Sequence, residues 1–310
     1  MLRTVLNRLV QMGLTLWVIA TVTFLMMQAV PGDPFTGERK LPDEVLRNLR
    51  AHYHLDEPVP VQYVMYMKNL LTLDLGVSIK YESRTVNDMV KEGFPVSARV
   101  GAQALLLSVL VGLFLGTVAA LRHNRGLDHT ATVLAVLGVS IPGFVLAPLL
   151  QRLFGVEWEL LPIATYEGAA STILPTAALA AFPLATITRL MRSGMVEVLN
   201  QDYVRTARAK GLPPVWVVLR HTVRNAILPV VTVLGPLMVG IMTGSFVIES
   251  IFSLPGIGKY FVESVINRDY PLIMGVTMFY SFLLISANFL VDLLYEWIDP
   301  RIRLTKKEGM

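Results

Sequence analysis

The chain has 310 residues, of which 54% are hydrophobic and 16% charged, and its mean hydropathy is +0.56. That leaves too little polar surface for a soluble globule of this length and points to one helical integral membrane domain. The net charge of +4 is small and is arranged by side of the membrane, which gives nucleic-acid binding no support; the absence of cysteine excludes disulfides, thiolate metal sites and cysteine nucleophiles.

The first predicted element is the uncharged run Leu9 to Val30, long enough at ~1.5 Å per residue to cross a hydrocarbon core of ~30 Å. It exceeds the apolar core of a signal peptide, and Val30-Pro31-Gly32-Asp33-Pro34 has no small-x-small cleavage pattern, so it reads as the first span. The polar stretch from Pro31 to Val96 is too long for a bare connection. Within it, Asp43-Glu44 with Val45, Leu46 and Leu49 predicts one amphipathic helix, and Val61 to Leu71 predicts a second, together an external cap.

Five further spans follow, at about 100–121, 130–154, 170–190, 226–248 and 272–297. The second carries Gly101, Gly112 and Gly116, small residues that let helices approach closely in a bilayer. The third is interrupted by Ile141-Pro142-Gly143 and Pro148, and proline inside a span frees backbone carbonyls that a neighbour must satisfy. The loop from Gly155 to Gly168 is acidic. Ser253 to Tyr260 reads as a turn and Asn267 to Pro271 as the approach to the last span, after which a basic tail, 299–310, ends the chain. The domain layout is therefore 1–30 for the N-terminus and first span, 31–96 for the cap, 97–298 for the core and 299–310 for the tail.

Between the fourth and fifth spans lies the basic segment DYVRTARAKGLPPVWVVLRHTVRNAILP, from Asp202 to Pro229. Asp202 is a candidate cap for a short helix to Lys210, in which Thr206, Ala207 and Ala209 add no bulk. Gly211 stops that helix in a left-handed turn, and Pro213 and Pro214 open another, with Val215, Val218 and Leu219 expected on its apolar side and Arg220 and Arg224 near its end. The short connections expected on the inner side hold Arg122, Arg125, Arg189, Arg192, Arg205, Arg208, Lys210, Arg220 and Arg224, whereas the two short outer loops hold only Lys259 and Arg268. This positive-inside bias puts both termini in the cytoplasm.

No catalytic constellation stands out. There is no phosphate loop of the GxxxxGK[ST] form, and no HExxH. The five histidines, at 52, 54, 123, 129 and 221, lie in connections, and His52 with His54 lacks a third metal ligand. Glu249, Arg189, Asp292 and Glu296 lie near span ends, where solvent or pairing can satisfy them, so an ion relay at mid-membrane has no support. Gln103, Ser281, Ser286 and Asn288 are read as interhelical hydrogen-bonding groups before pore-lining ones.

The basic segment resembles the cytoplasmic loop of permease subunits of ATP-binding cassette (ABC) importers, whose pattern is Glu-Ala-Ala, three residues, Gly, then Leu-Pro. Arg205, Thr206 and Ala207 stand at the first three positions, Gly211 at the glycine and Leu228-Pro229 at the close. The arginine and the longer Gly211-to-Leu228 distance match the oligopeptide, dipeptide and nickel permease branch. So do PGDP (31–34), HLDEPVPVQY (54–63), DLGVS (74–78), GSFVIESIFSLPGIG (244–258), NRDYP (267–271) and IDPRIR (298–303). The resemblance implies an all-α, six-span, type I importer permease fold. It also implies a second homologous permease, two ATPase subunits carrying the ATP and magnesium, and an external peptide-binding protein. The coupling residues it implies are Asp202, Tyr203, Arg205, Thr206, Ala207, Ala209, Gly211, Leu228 and Pro229, with Ala207 small so that a partner can dock closely and Gly211 holding the turn. Substrate choice would rest mostly with the binding protein, so dipeptide or nickel import is the alternative within the family. A stand-alone secondary transporter is the alternative outside it.

Overall fold

The computed structural model describes residues 2–30, 35, 42–81 and 83–298. The Pro31–Pro34 phrase and the tail 299–310 lie outside them, as do the side chains of Asp292 and Glu296. The described secondary structure is helical apart from one isolated bridge between Val77 and Thr85. Its main elements are α1 (Leu2–Ala29), α2 (Asp43–His52), α3 (Val59–Leu71), α4 (Val86–Leu121), α5 (Gly126–Ser140), α6 (Gly143–Leu150) and α7 (Ile173–Leu199). They continue with α8 (Asp202–Ala209), α9 (Pro214–Trp216), α10 (Arg224–Ala226), α11 (Leu228–Ile251), α12 (Ile257–Asn267) and α13 (Tyr270–Ile298). Among the described residues, five of these helices are long and apolar enough to cross a membrane, and the bent pair Gly126–Ser140 and Gly143–Glu157, at 107°, has the form of a broken span or a re-entrant loop.

Several boundaries differ from the sequence reading: α1 starts at Leu2 and α7 runs to Leu199, beyond the stretches read as spans. The second span starts as a helix at Val86, well before Val100, because residues 86–93 form about two amphipathic turns. Val86, Met89, Val90 and Gly93 are buried while Asp88, Lys91 and Glu92 stay in solvent. Thr85 begins it: its Oγ1 accepts the Asp88 N–H at 3.1 Å and donates to the Asp88 carboxylate at 2.6 Å, a reciprocal arrangement related to the capping box. The segment read as a turn, Ser253 to Tyr260, is only partly one, since α12 begins at Ile257.

The chain forms two compact units. The first comprises residues 1–95 and 256–286. Here α1 meets α3 through Thr21 and Tyr63 hydroxyls 2.8 Å apart and through Phe24, whose ring lies 5.4 Å from Tyr63 and 5.8 Å from Tyr66. At Gly93 a side chain would meet the Ile257 backbone nitrogen at 2.8 Å, so α4 and α12 cross almost backbone to backbone. Asp269, fully buried, ends α12 and starts α13. Its carboxylate accepts the Leu272 N–H at 3.3 Å, an N-cap bond, together with the Ser78 hydroxyl and the N–H groups of Ile79 and Lys80, both at 3.2 Å. Beside it, Tyr81 donates to Glu263; burial first, and that carboxylate second, hold the Tyr81 phenol well above its usual pKa.

The second unit comprises 96–255 and 287–310. Its largest core joins Val96, Val100 and Ala104 of α4 with Ala147 of α6, Leu174 and Ala178 of α7, and Ile241 and Ile248 of α11. Small residues bring α7 into contact with three neighbours. A side chain at Gly116 would meet Thr188 O at 2.6 Å and Met191 Cβ at 2.7 Å, one at Gly138 would meet Ala181 O at 3.0 Å, and one at Gly194 would meet Ala226 O at 2.7 Å. Gln103 and Thr176 hydrogen-bond at 3.1 Å, the interhelical role expected of Gln103. Glu249 is fully buried, so of the two ways of satisfying a charge near a span end, solvent and pairing, solvent does not apply to it. Replacing Gly116 by leucine is expected to cost about 1–3 kcal/mol, since backbone has to move to admit it, and to lower the melting temperature of the purified protein in detergent.

Candidate functional site: the hairpin between the fourth and fifth spans

The Asp202–Pro229 segment folds as the predicted hairpin, and its turn follows from backbone hydrogen bonding. Gly211 has φ +77°, and its N–H reaches Arg208 O at 3.0 Å while the Leu212 N–H reaches back to Ala207 O at 3.4 Å. These two bonds are the paired closures of a Schellman motif, which needs a left-handed residue at the position of Gly211. A side chain there would touch nothing within 4 Å, so the demand for glycine is conformational and not steric.

Asp202 lies in the first turn of α8, and the residue capping it is Gln201, with no side-chain bond to the helix. The expectation that Asp202 is the cap is thereby corrected; as a first-turn carboxylate it still suits the positive end of the helix. Along α8, Val204 and Ala207 face inward and pack with Val217 of the second arm, while Asp202, Tyr203, Arg205, Thr206 and Ala209 are exposed. Ala207 is therefore small for the hairpin's own sake: it lets the two arms close on each other, and its side chain is only 5% exposed and not free to dock elsewhere.

The second arm starts at Pro214, whose missing N–H costs nothing in a first turn. It then runs through a π-helical stretch, Val217–Val223, into α10. The Thr222 hydroxyl donates to Val217 O, five residues back, at 3.2 Å. That spacing puts Val217 and Thr222 inward; of the three residues expected on the apolar side, Val218 packs against the core while Val215 and Leu219 turn out. Val215, Trp216 and Leu219 are 58–66% exposed and, with Arg220 and Arg224, edge a shallow hollow of 490 Å³. The amide of Asn225 donates to the Tyr203 hydroxyl at 2.7 Å and ties the second arm to α8. Leu228 and Pro229, both exposed, open α11 and do not take part in the turn.

The structure thus brings Tyr203, Ala207 and Gly211 into one hairpin, sets Asp202, Arg205, Thr206 and Ala209 on its open face, and leaves Leu228 and Pro229 at its exit. Sequence reasoning did not single out Val204, Val217, Trp216 and Asn225. The spacing of Val204 and Ala207, three apart on a short helix, was a signal for the first of these.

Comparison with known proteins gives this architecture its context. Residues 112–304 match the family described as binding-protein-dependent transport system inner membrane component, and residues 1–98 match the N-terminal component of the same system. The chain is 54% identical over 307 residues to a dipeptide transport system permease protein of Bacillus subtilis (strain 168), covering 99% of this chain and all of that one. It is 47% identical over 305 residues to an oligopeptide transport system permease protein of Salmonella typhimurium (strain LT2), covering 98% of this chain and all of that one. Among solved structures, an amino acid ABC transporter crystallised with histidines aligns with a TM-score of 0.52 at 16% identity, covering 67% of this chain and 93% of that one, a likeness of fold. With an all-helical membrane fold of the type I importer kind and a family match over most of its length, the chain belongs to the binding-protein-dependent transport system inner membrane components.

Proposed function

We propose that this chain is the permease subunit of an ABC importer of short peptides. It forms half of a translocation path with a second homologous permease and takes its energy from two ATPase subunits, which hold the ATP and its magnesium. An extracytoplasmic binding protein delivers the peptide. The observation that carries this reading is the end-to-end likeness, at 47–54% identity, to permeases of peptide transport systems. Oligopeptides are the substrate class proposed, and dipeptides, named for the 54% identical relative, are the alternative. Both termini lie in the cytoplasm, as the basic inner connections support, and the polar stretch between α1 and α4 lies outside.

In this reading the open face of the hairpin meets the ATPases: Tyr203, Arg205 and Thr206 from α8, with the Trp216 and Arg220 side of the second arm beside them. Reconstitution of the complete complex in liposomes tests it. Uptake of labelled peptide is expected only when ATPases, ATP and binding protein are all present, and a dipeptide against a pentapeptide separates the two substrate readings. Uptake by this chain alone would overturn the proposal.

A further inference from the structure

Asp128 is 1% exposed, in the first turn of α5, and it faces Arg192 of α7. The guanidinium grips its carboxylate with two nitrogens: Nε donates to Oδ1 and Nη2 donates to Oδ2 at 2.8 Å. The same Oδ2 accepts the Asn124 N–H at 2.9 Å, and the His123 ring Nδ1 lies 3.3 Å from both Asp128 Oδ2 and Arg192 Nη2. One carboxylate therefore binds the α4–α5 turn, the start of α5 and the inner half of α7. A buried ion pair contributes little net stability, because desolvation offsets the attraction, but the fork of arginine fixes distance and direction together.

Where this fork sits gives it a role. Arg192 lies on α7 next to Gly194, where α7 touches Ala226 at the root of the hairpin's second arm. α7 then runs to Leu199, immediately before α8. At the other end of α5, Gly138 sits against Ala181 of α7, just before the break at Ile141 to Gly143. The α5 helix is thus clamped to α7 at both ends, by close packing near the break and by the ion pair near the hairpin.

We propose that the Asp128–Arg192 fork is a positioning element that makes the hairpin stem and the α5 half of the broken span move as one body, carrying hairpin displacement to the break. The proposal rests on the peptide-importer reading for its transport consequence, not for its mechanical one. Because the chain has no cysteine, introduced thiols are the only ones on it.

Spin labels at Thr130→Cys and Lys210→Cys are expected to give a narrow distance distribution in the otherwise native complex and a broad one with Asp128→Asn. In the complete transporter, Asp128→Asn is expected to keep membrane abundance and binding-protein-stimulated ATP hydrolysis while peptide delivered per ATP falls about tenfold, a coupling loss of ordinary size. The charge swap Asp128→Arg with Arg192→Asp is expected to recover part of it. An unchanged distance distribution, or uptake and hydrolysis falling in step with abundance, would overturn the proposal. If the native complex imports no peptide, the importer reading fails on its own, and the spin-label result still decides the role of the fork.

Discussion

Gly211→Val is expected to reach the membrane in normal amount and to abolish peptide uptake. The left-handed conformation at Gly211 costs an L-residue ~1–2 kcal/mol, and a β-branched side chain more. Space is not the problem, since nothing lies within 4 Å of the added carbon. The strain is relieved by opening the Leu212-to-Ala207 and Gly211-to-Arg208 bonds, which lets α8 swing away from Val217. The spans keep their packing, so insertion survives while the rigid hairpin is lost. Gly211→Asn provides the control, because asparagine tolerates the left-handed region and is expected to retain most uptake. Labelled-peptide uptake normalised to membrane abundance reads both variants, and native transport by Gly211→Val would contradict the rigid-hairpin account.

A second large effect is expected from Asp269→Ala. The buried carboxylate accepts from Ser78, Ile79, Lys80 and Leu272, and alanine removes that acceptor from two donors in buried residues, Ser78 and Leu272, and from two nearer the surface, Ile79 and Lys80. Loss of the N-cap costs ~1 kcal/mol and the stranded Ser78 hydroxyl ~1–3 kcal/mol, whereas the Ile79 and Lys80 N–H groups can turn to water, so a total of about 3 kcal/mol is expected. Melting in detergent should fall by several degrees, and limited proteolysis should cut within Ser78 to Tyr81. Asp269→Asn keeps an acceptor oxygen and is expected to lose about half as much. Resistance to protease equal to the native chain in Asp269→Ala would show that the loop is held by other contacts.

Several of these features are readable in the amino-acid order and others are not, for physical reasons. Gly211 followed by Pro213 and Pro214 is a strong local signal, because both residue types restrict the backbone whatever surrounds them, and the turn is where that signal puts it. The face of the second arm was not readable. A π-helical stretch changes the periodicity, so the 3.6-residue rule assigns Val215 and Leu219 to the wrong side. The early start of α4 was signalled by Thr85 and Asp88, yet Asp88, Lys91 and Glu92 lower the hydropathy of that stretch below that of a span. Asp128 stood in a short polar connection, where a carboxylate normally meets water; its burial depends on Arg192, 64 residues away, and nothing local announces it.

The break at Ile141 to Gly143 also bears on how the chain is made. Pro142 has no N–H, its carbonyl serves Val145 and Leu146, and the two half-helices meet at 107°. Hydrocarbon tolerates such an interruption only beneath a protein neighbour or against water. During synthesis this stretch leaves the ribosome before α7, the partner against which both halves pack. The break therefore depends on a neighbour, Ile173 to Leu199, that follows it in the chain, so its backbone is covered only once the later helix is in place.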